Sequence, residues 1–220
     1  MQSLALHYSD DPFHHRDAVR PAELPQIAPD GGVRMHYDRD EEIFGEGEAV
    51  RYVYRVLTGA VRTYRVLSDG RRQIVEFHLA GDLFGLDGEV QHALGAEAVL
   101  GTTLLVMRRA VFLKEGDGRG AAAFGALLKK FHRAQAHMLL LGRQTACEKL
   151  CAFLLDLRER IGSASFDLPM CRQDIADYLG LTIETVSRTF TQLQGSGLID
   201  LTSCRSVKLR DIPALVRICE

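Results

Sequence analysis

The apolar pattern of this chain changes period once, and that change limits the possible folds more than any other feature. From Val33 to Met107, stretches such as VYRVL and VRTYRVL alternate apolar with polar positions, separated by turns at Gly45, Gly47, Gly59, Gly70, Gly81, Gly85 and Gly88. Alternation marks strands with one buried face, and strands this short at this turn spacing predict an all-β roll or barrel. From about Arg119 to Arg160 the spacing becomes three and four. Phe124, Leu127, Phe131, Ala134, Met138, Leu141 and Thr145 share one seam, with no proline between Gly120 and Asp167. One long helix is expected, running from 119 to 160. A narrow apolar seam on so long a helix predicts a partner helix, with Phe124, Leu127, Phe131, Met138 and Leu141 as a dimer interface. The alternative is that the seam packs on the chain's own roll.

The chain has 220 residues, a net charge of −2 and a pI near 6.4, so any nucleic-acid contact must be local rather than a general basic coat. The N-terminus carries no signal-peptide pattern, and the apolar run Met138–Leu141 is far too short to span a bilayer, which points to a cytoplasmic protein with no membrane partner. Five cysteines without paired spacing read as thiols in a reducing compartment. Residues 1–30 read as an arm with one short helix near Glu23–Ile27, its His7, His14 and His15 solvated rather than metal ligands. The remaining segments are a roll over 31–118, the helix over 119–160, a break at 161-IGSASFD-167 and a compact unit over 168–220.

The stretch 171-CRQDIADYLGLTIETVSRTFTQLQGSG-197 reads as two helices and a turn. Gly180 suits the end of the first, and Thr182 can cap the second. Ile183, Val186, Phe190 and Leu193 form the expected buried face. Glu184, Ser187, Arg188 and Thr191 then project from the other side. Leu198–Leu201 and Ser206–Leu209 make a hairpin, so the unit reads as a winged helix-turn-helix, for which double-stranded DNA is the expected partner. An arginine can donate two bonds to guanine, a glutamate can accept from cytosine N4, and a serine can touch a base edge. Glu184, Ser187 and Arg188 are therefore the expected base contacts. A solvated i,i+4 salt bridge between Glu184 and Arg188 is the plainer reading. Residues 169–220 hold six Lys/Arg and six Asp/Glu, so phosphate contacts fall to a few placed groups. These are Arg172, Thr182, Thr185, Thr189, Arg205 and Lys208.

The stretches 43-IFGEGEAVRYVYRVLTGAVRTYRVLSDGRRQIVEFHLAGDLFGLDG-88 and 168-LPMCRQDIADYLGLTIETVSRTF-190 resemble the CRP/FNR family of bacterial transcription regulators, in its FixK-like branch. The resemblance implies an α+β architecture: a β-roll of the cyclic-nucleotide-binding type, a dimerisation helix and a C-terminal winged helix. It also implies a homodimer that reads a two-fold symmetric site of the TTGA…TCAA kind and activates genes for low-oxygen respiration or nitrogen fixation. Glu184, Ser187 and Arg188 match the family's E-x-x-S-R. Ile183 stands where the cAMP receptor branch carries an arginine. The segment 84-FGLDGEVQHALGAEAV-99 lacks the arginine that holds a cyclic phosphate, and residues 1–146 contain no cysteine for an iron–sulfur cluster. No cofactor is therefore expected. The alternative is an effector-gated regulator with haem on His78 or His92, or a small molecule in the roll. Contact with RNA polymerase is expected through the loops Ser68–Arg72 and Gly81–Asp87, at Asp69, Arg71, Asp82 and Phe84.

Cys171 stands where a serine or threonine usually caps the first helix of the motif. A thiol at a helix start beside an arginine is a setting that favours thiolate, so Cys171 is expected to act as a redox switch that weakens DNA binding when oxidised. Cys147 and Cys151 are expected to face the core and Cys204 to lie exposed in the wing. No catalytic constellation is present, and the chain is not expected to be an enzyme.

Overall fold

The computed structural model describes residues 32–113, 119–143 and 145–219. The expected helix at Glu23–Ile27 and the arm histidines lie outside the described residues.

Eight strands build the N-terminal half: β1 (Val33–Tyr37), β2 (Glu42–Phe44), β3 (Tyr52–Thr58), β4 (Ala60–Val66), β5 (Arg72–Leu79), β6 (Leu83–Phe84), β7 (Gly95–Ala98) and β8 (Thr102–Arg108). They form two antiparallel four-stranded sheets, ordered β1-β8-β3-β6 and β2-β7-β4-β5. The alternating side chains meet between the sheets, where Phe44, Tyr54, Val56, Val61, Phe84 and Leu104 form a closed core. The chain changes sheet between β3 and β4 at Gly59. Its φ is +87°, and a Cβ there would lie 2.4 Å from Thr102 Oγ1 and 2.8 Å from the Gly101 carbonyl, so only glycine fits.

A single turn, α1 (Arg109–Phe112), precedes α2 (Arg119–Leu141), and α3 (Ala146–Ile161) follows. The single helix expected over 119–160 is thus two. Gly142 follows the last turn of α2, and the Thr145 hydroxyl accepts the Glu148 N–H at 3.1 Å to begin α3. Gly162, at φ +76°, ends α3.

The strand β9 (Ser165–Asp167) lies in what the sequence suggested was a plain break. It pairs with the wing through Phe166 opposite Val207. The helices α4 (Arg172–Leu179) and α5 (Ile183–Gly195) follow, then β10 (Ile199–Leu201) and β11 (Ser206–Leu209), giving a small sheet ordered β10-β11-β9. A last helix, α6 (Ile212–Cys219), has no counterpart in the sequence reading. It buries Leu215, and Arg143 donates to the Cys219 carbonyl.

One apolar core joins the two halves. Ile74 and Phe77 of β5 share it with Leu150, Phe153, Leu154 and Leu157 of α3, Ile175 and Leu179 of α4, and Val186, Phe190 and Leu193 of α5. Phe77 lies 6.4 Å from the Phe153 ring and 5.2 Å from that of Tyr178. Each such buried side chain stabilises the fold by roughly 1.5–3 kcal/mol. The α3 helix therefore packs with the helix-turn-helix and the roll together.

Candidate nucleic-acid interface

Helix α5 is fixed at its start by Thr182, whose hydroxyl accepts the Thr185 N–H at 3.3 Å. Val186, Phe190 and Leu193 are buried, and this anchors the rotation of the helix. Glu184, Ser187, Arg188 and Thr191 consequently stand together in solvent. The Glu184 carboxyl is held below its usual pKa range, first by its own backbone N–H, then by the Thr182 hydroxyl, and last by the charge of Arg188. It is an anionic acceptor beside a cationic donor on an open face, which is the chemistry of base-edge readout.

Ile183 departs from expectation. It is 37% exposed, because it opens the helix and faces a cleft beside the β4–β5 hairpin rather than the core. Thr189, expected at a phosphate, is 5% exposed and donates its hydroxyl to the Thr185 carbonyl at 2.8 Å. Arg172, also expected at a phosphate, is folded back over Phe190, with its guanidinium carbon 3.3 Å from the ring centroid. Burial pulls its pKa down to about 10, and its Nη1 is enclosed without a hydrogen-bond partner among the described residues. Neither side chain faces outward in this structure. Thr182 and Lys208 are exposed, Thr185 and Arg205 half-buried.

Cys171 precedes α4, and Asp174 Oδ2 accepts both its N–H and its S–H at 3.2 Å. The thiol therefore faces a carboxylate, while the neighbouring guanidinium has turned away. Cys151 is fully buried and burial pushes its thiol pKa up. Cys147 is half-buried, and Cys204 is exposed.

Helix α2 has an inverted character. Two of its charged side chains turn toward the roll: Lys130 to Asp87 at 3.2 Å, and Arg133 to Glu76 at 3.2 Å and Asp82 at 2.8 Å. His137 stacks on Tyr178 with ring centroids 4.0 Å apart. Leu140 is buried in the main core, but most of the helix's large apolar side chains face water, with Phe124, Phe131 and Met138 at 63%, 57% and 67% exposure and Leu127 and Leu141 exposed beside them.

The supposed polymerase patch divides. Asp69 and Arg71 are exposed and paired with each other at 2.7 Å. Phe84 is 3% exposed, locked between Tyr54 and His78. Asp82 is held between Arg133 and Arg160, which donate at 2.8 and 2.9 Å; the Arg133 bond, the Leu79 N–H and the charges of the two guanidiniums keep its pKa low despite burial. A core aromatic and a doubly paired carboxylate cannot serve as surface contacts, so Asp82 and Phe84 drop out of that patch.

Within the roll, His92 stacks on Phe44 at 3.7 Å and bonds Asp87 at 2.7 Å, while His78 stacks on Phe84 at 4.9 Å. Both rings are packed among the roll's own side chains.

A Crp-like helix-turn-helix domain model matches residues 148–218, and a cyclic nucleotide-binding domain model matches residues 34–116. The nitrogen fixation regulation protein FixK of Rhizobium meliloti is 45% identical over 195 residues, covering 87% of this chain and 90% of that protein. The chain belongs to the CRP/FNR family, in its FixK branch. FixK of Azorhizobium caulinodans is 44% identical over 211 residues, covering 92% of this chain and 84% of that protein. The structure of FixK2 from Bradyrhizobium japonicum superposes with a TM-score of 0.81 at 42% identity, covering 85% of this chain and 96% of that one. This CRP/FNR member is accordingly a transcription regulator whose C-terminal helix-turn-helix binds DNA. Its matched relatives are regulators rather than enzymes. No described helix is long and apolar enough to cross a membrane.

Proposed function

We propose that the protein is a homodimeric cytoplasmic activator of FixK type that reads TTGA-N6-TCAA-like palindromes and works without a bound effector. The observation that carries this reading is the joint exposure of Glu184, Ser187 and Arg188 on one face of α5 while its opposite face is buried. The exposed apolar side of α2 supports pairing with a second copy, which would place two recognition helices on one duplex. The names of the FixK relatives support a role in regulating nitrogen fixation. The packing of Phe44, His92, His78 and Phe84 inside the roll favours an unliganded roll over one gated by haem or a cyclic nucleotide. RNA polymerase is the partner proposed for the exposed loop at Asp69 and Arg71.

Footprinting on a TTGAT-N4-ATCAA duplex tests the reading. Arg188→Ala is expected to cost about 1–3 kcal/mol, concentrated at the guanine of each half-site. An equal loss on all sequences would remove Arg188 from base readout.

Oxidation of Cys171 is part of the same proposal. Two successive oxygen transfers from peroxide, each releasing water, convert the thiol to a sulfinic acid, which ionises. The resulting anion stands against the Asp174 carboxylate at the start of α4 and weakens DNA binding. Peroxide is expected to lower operator affinity in the wild type and not in Cys171→Ser. Unchanged affinity of the oxidised wild type rejects the switch.

A further inference from the structure

The two halves of the molecule are joined by a buried ionic cluster as well as by apolar packing. Asp174, on α4, has every acceptor direction engaged. Its Oδ1 takes Arg62 Nη1 at 3.1 Å and Arg72 Nη2 at 2.6 Å, while Oδ2 takes the two bonds from Cys171. Arg62, on β4, also donates to Glu97 at 3.0 and 2.5 Å and to Asp40 at 2.9 Å. Arg72, on β5, also donates to Asp177 at 3.0 Å, and Gln73 donates to the Asp177 carbonyl at 2.8 Å. Asp174 is 2% exposed and Arg62 5%.

Burying ions costs nearly as much as their attraction returns, so such a cluster adds little adhesion. Its contribution is direction. Apolar contacts such as Phe77 against Tyr178 tolerate sliding, whereas several guanidinium–carboxylate bonds converging on one carboxylate close at a single orientation. A charge left unpaired there is strongly penalised. Helix α5 shares a core with α4, so whatever orients α4 orients the recognition helix.

We propose that Asp174, held by Arg62 and Arg72, is the positioning residue for DNA binding: an ionic joint that sets the angle of the recognition helix to the roll without a ligand. In a dimer that angle fixes the separation of the two recognition helices, and hence the half-site spacing accepted. This inference rests on the effector-free reading above.

Two full-length variants test it. Asp174→Asn keeps an oxygen that can cap Cys171 N–H but removes the charge. Arg72→Gln leaves α4 unaltered. Each is measured on the TTGAT-N4-ATCAA duplex and on the same duplex with one base pair added to the spacer. Wild type is expected to prefer the native spacing by about tenfold or more, and the variants by less than about threefold, with at least about tenfold weaker binding to the native duplex. Misfolding would lower the active fraction for both duplexes alike and leave the ratio intact. An undiminished ratio in both variants, whatever their affinity for the native duplex, overturns the proposal. Hydrogen exchange on the free protein provides a second measurement that needs no DNA. Arg72→Gln is expected to speed exchange on both sides of the joint, over residues 71–74 and 173–179, and unchanged exchange in α4 overturns the joint. Wild type that binds only after an effector is added defeats the effector-free reading, while the exchange measurement still decides the joint.

Discussion

Arg172 sits over Phe190, its guanidinium carbon 3.3 Å from the ring centroid. The stack closes the underside of the recognition helix, because Phe190 is itself 1% exposed. A cation over an aromatic face contributes about 0.5–2 kcal/mol. Arg172→Ala is therefore expected to lower the urea midpoint by a corresponding amount and to leave the salt dependence of operator binding unchanged. Lys208→Ala should do the reverse, reducing the salt slope by about one per bound protomer with little change in stability. A reduced slope in Arg172→Ala would place that guanidinium at the phosphate backbone after all.

His78 and His137 make the fold sensitive to mild acid. Burial lowers the pKa of both below the ordinary value near 6.5, against the opposing pull of Glu76 on each. Below pH 6.5 the unfolded chain takes up protons that the folded protein refuses. Stability is thus full above that value and falls as pH drops through it, by up to about 1.4 kcal/mol per pH unit for each histidine. Urea midpoints at pH 7.5, 6.0 and 5.0 should show the decline, and His78→Gln should reduce its slope. An identical slope in that variant would assign the effect elsewhere.

Two glycines with similar backbone angles should respond differently to alanine. At Gly59, φ +87°, a Cβ meets Thr102 Oγ1 and the Gly101 carbonyl, whereas at Gly70, φ +82°, it meets nothing within 4 Å among the described residues. Gly70→Ala should cost only the left-handed backbone penalty, about 1–2 kcal/mol. Gly59→Ala adds overpacking against backbone and should cost roughly 2–5 kcal/mol. Equal midpoints for the two variants would contradict the close approach at the sheet-changing corner.

The outward apolar face of α2 predicts the effect of a charge placed on it. Phe131→Asp is expected to give a monomer in sedimentation and to weaken operator binding by at least about tenfold, since one half-site is lost. The protomer itself should remain folded by circular dichroism, because Phe131 is 57% exposed. A variant that remains dimeric would place the interface elsewhere.

Local periodicity made much of the architecture legible. The alternation in VRTYRVL predicted β4, and the spacing of Val186, Phe190 and Leu193 predicted the buried side of α5 and so the exposure of Glu184, Ser187 and Arg188. Failures came where a distant partner or a local hydroxyl decides. Thr189 looked like a phosphate contact, yet its hydroxyl is satisfied one turn back at the Thr185 carbonyl, which permits burial. Ile183 looked buried, yet the first residue of a helix has no preceding turn to cover it. Asp82 looked like a surface loop residue because Arg133 and Arg160, which enclose it, lie 51 and 78 positions away. The Arg62–Asp174 bond spans 112 positions, beyond the reach of any periodicity.

The shared carboxylate of Asp82 has a mechanical consequence. Arg133 holds it from the helix before the break at Gly142, and Arg160 holds it from the helix after. The turn that carries Asp82 therefore splints the break from outside, so α2 and α3 cannot swivel against one another without dragging the edge of the roll along. Even with nothing bound inside it, the roll would still brace the two helices that lead to the DNA.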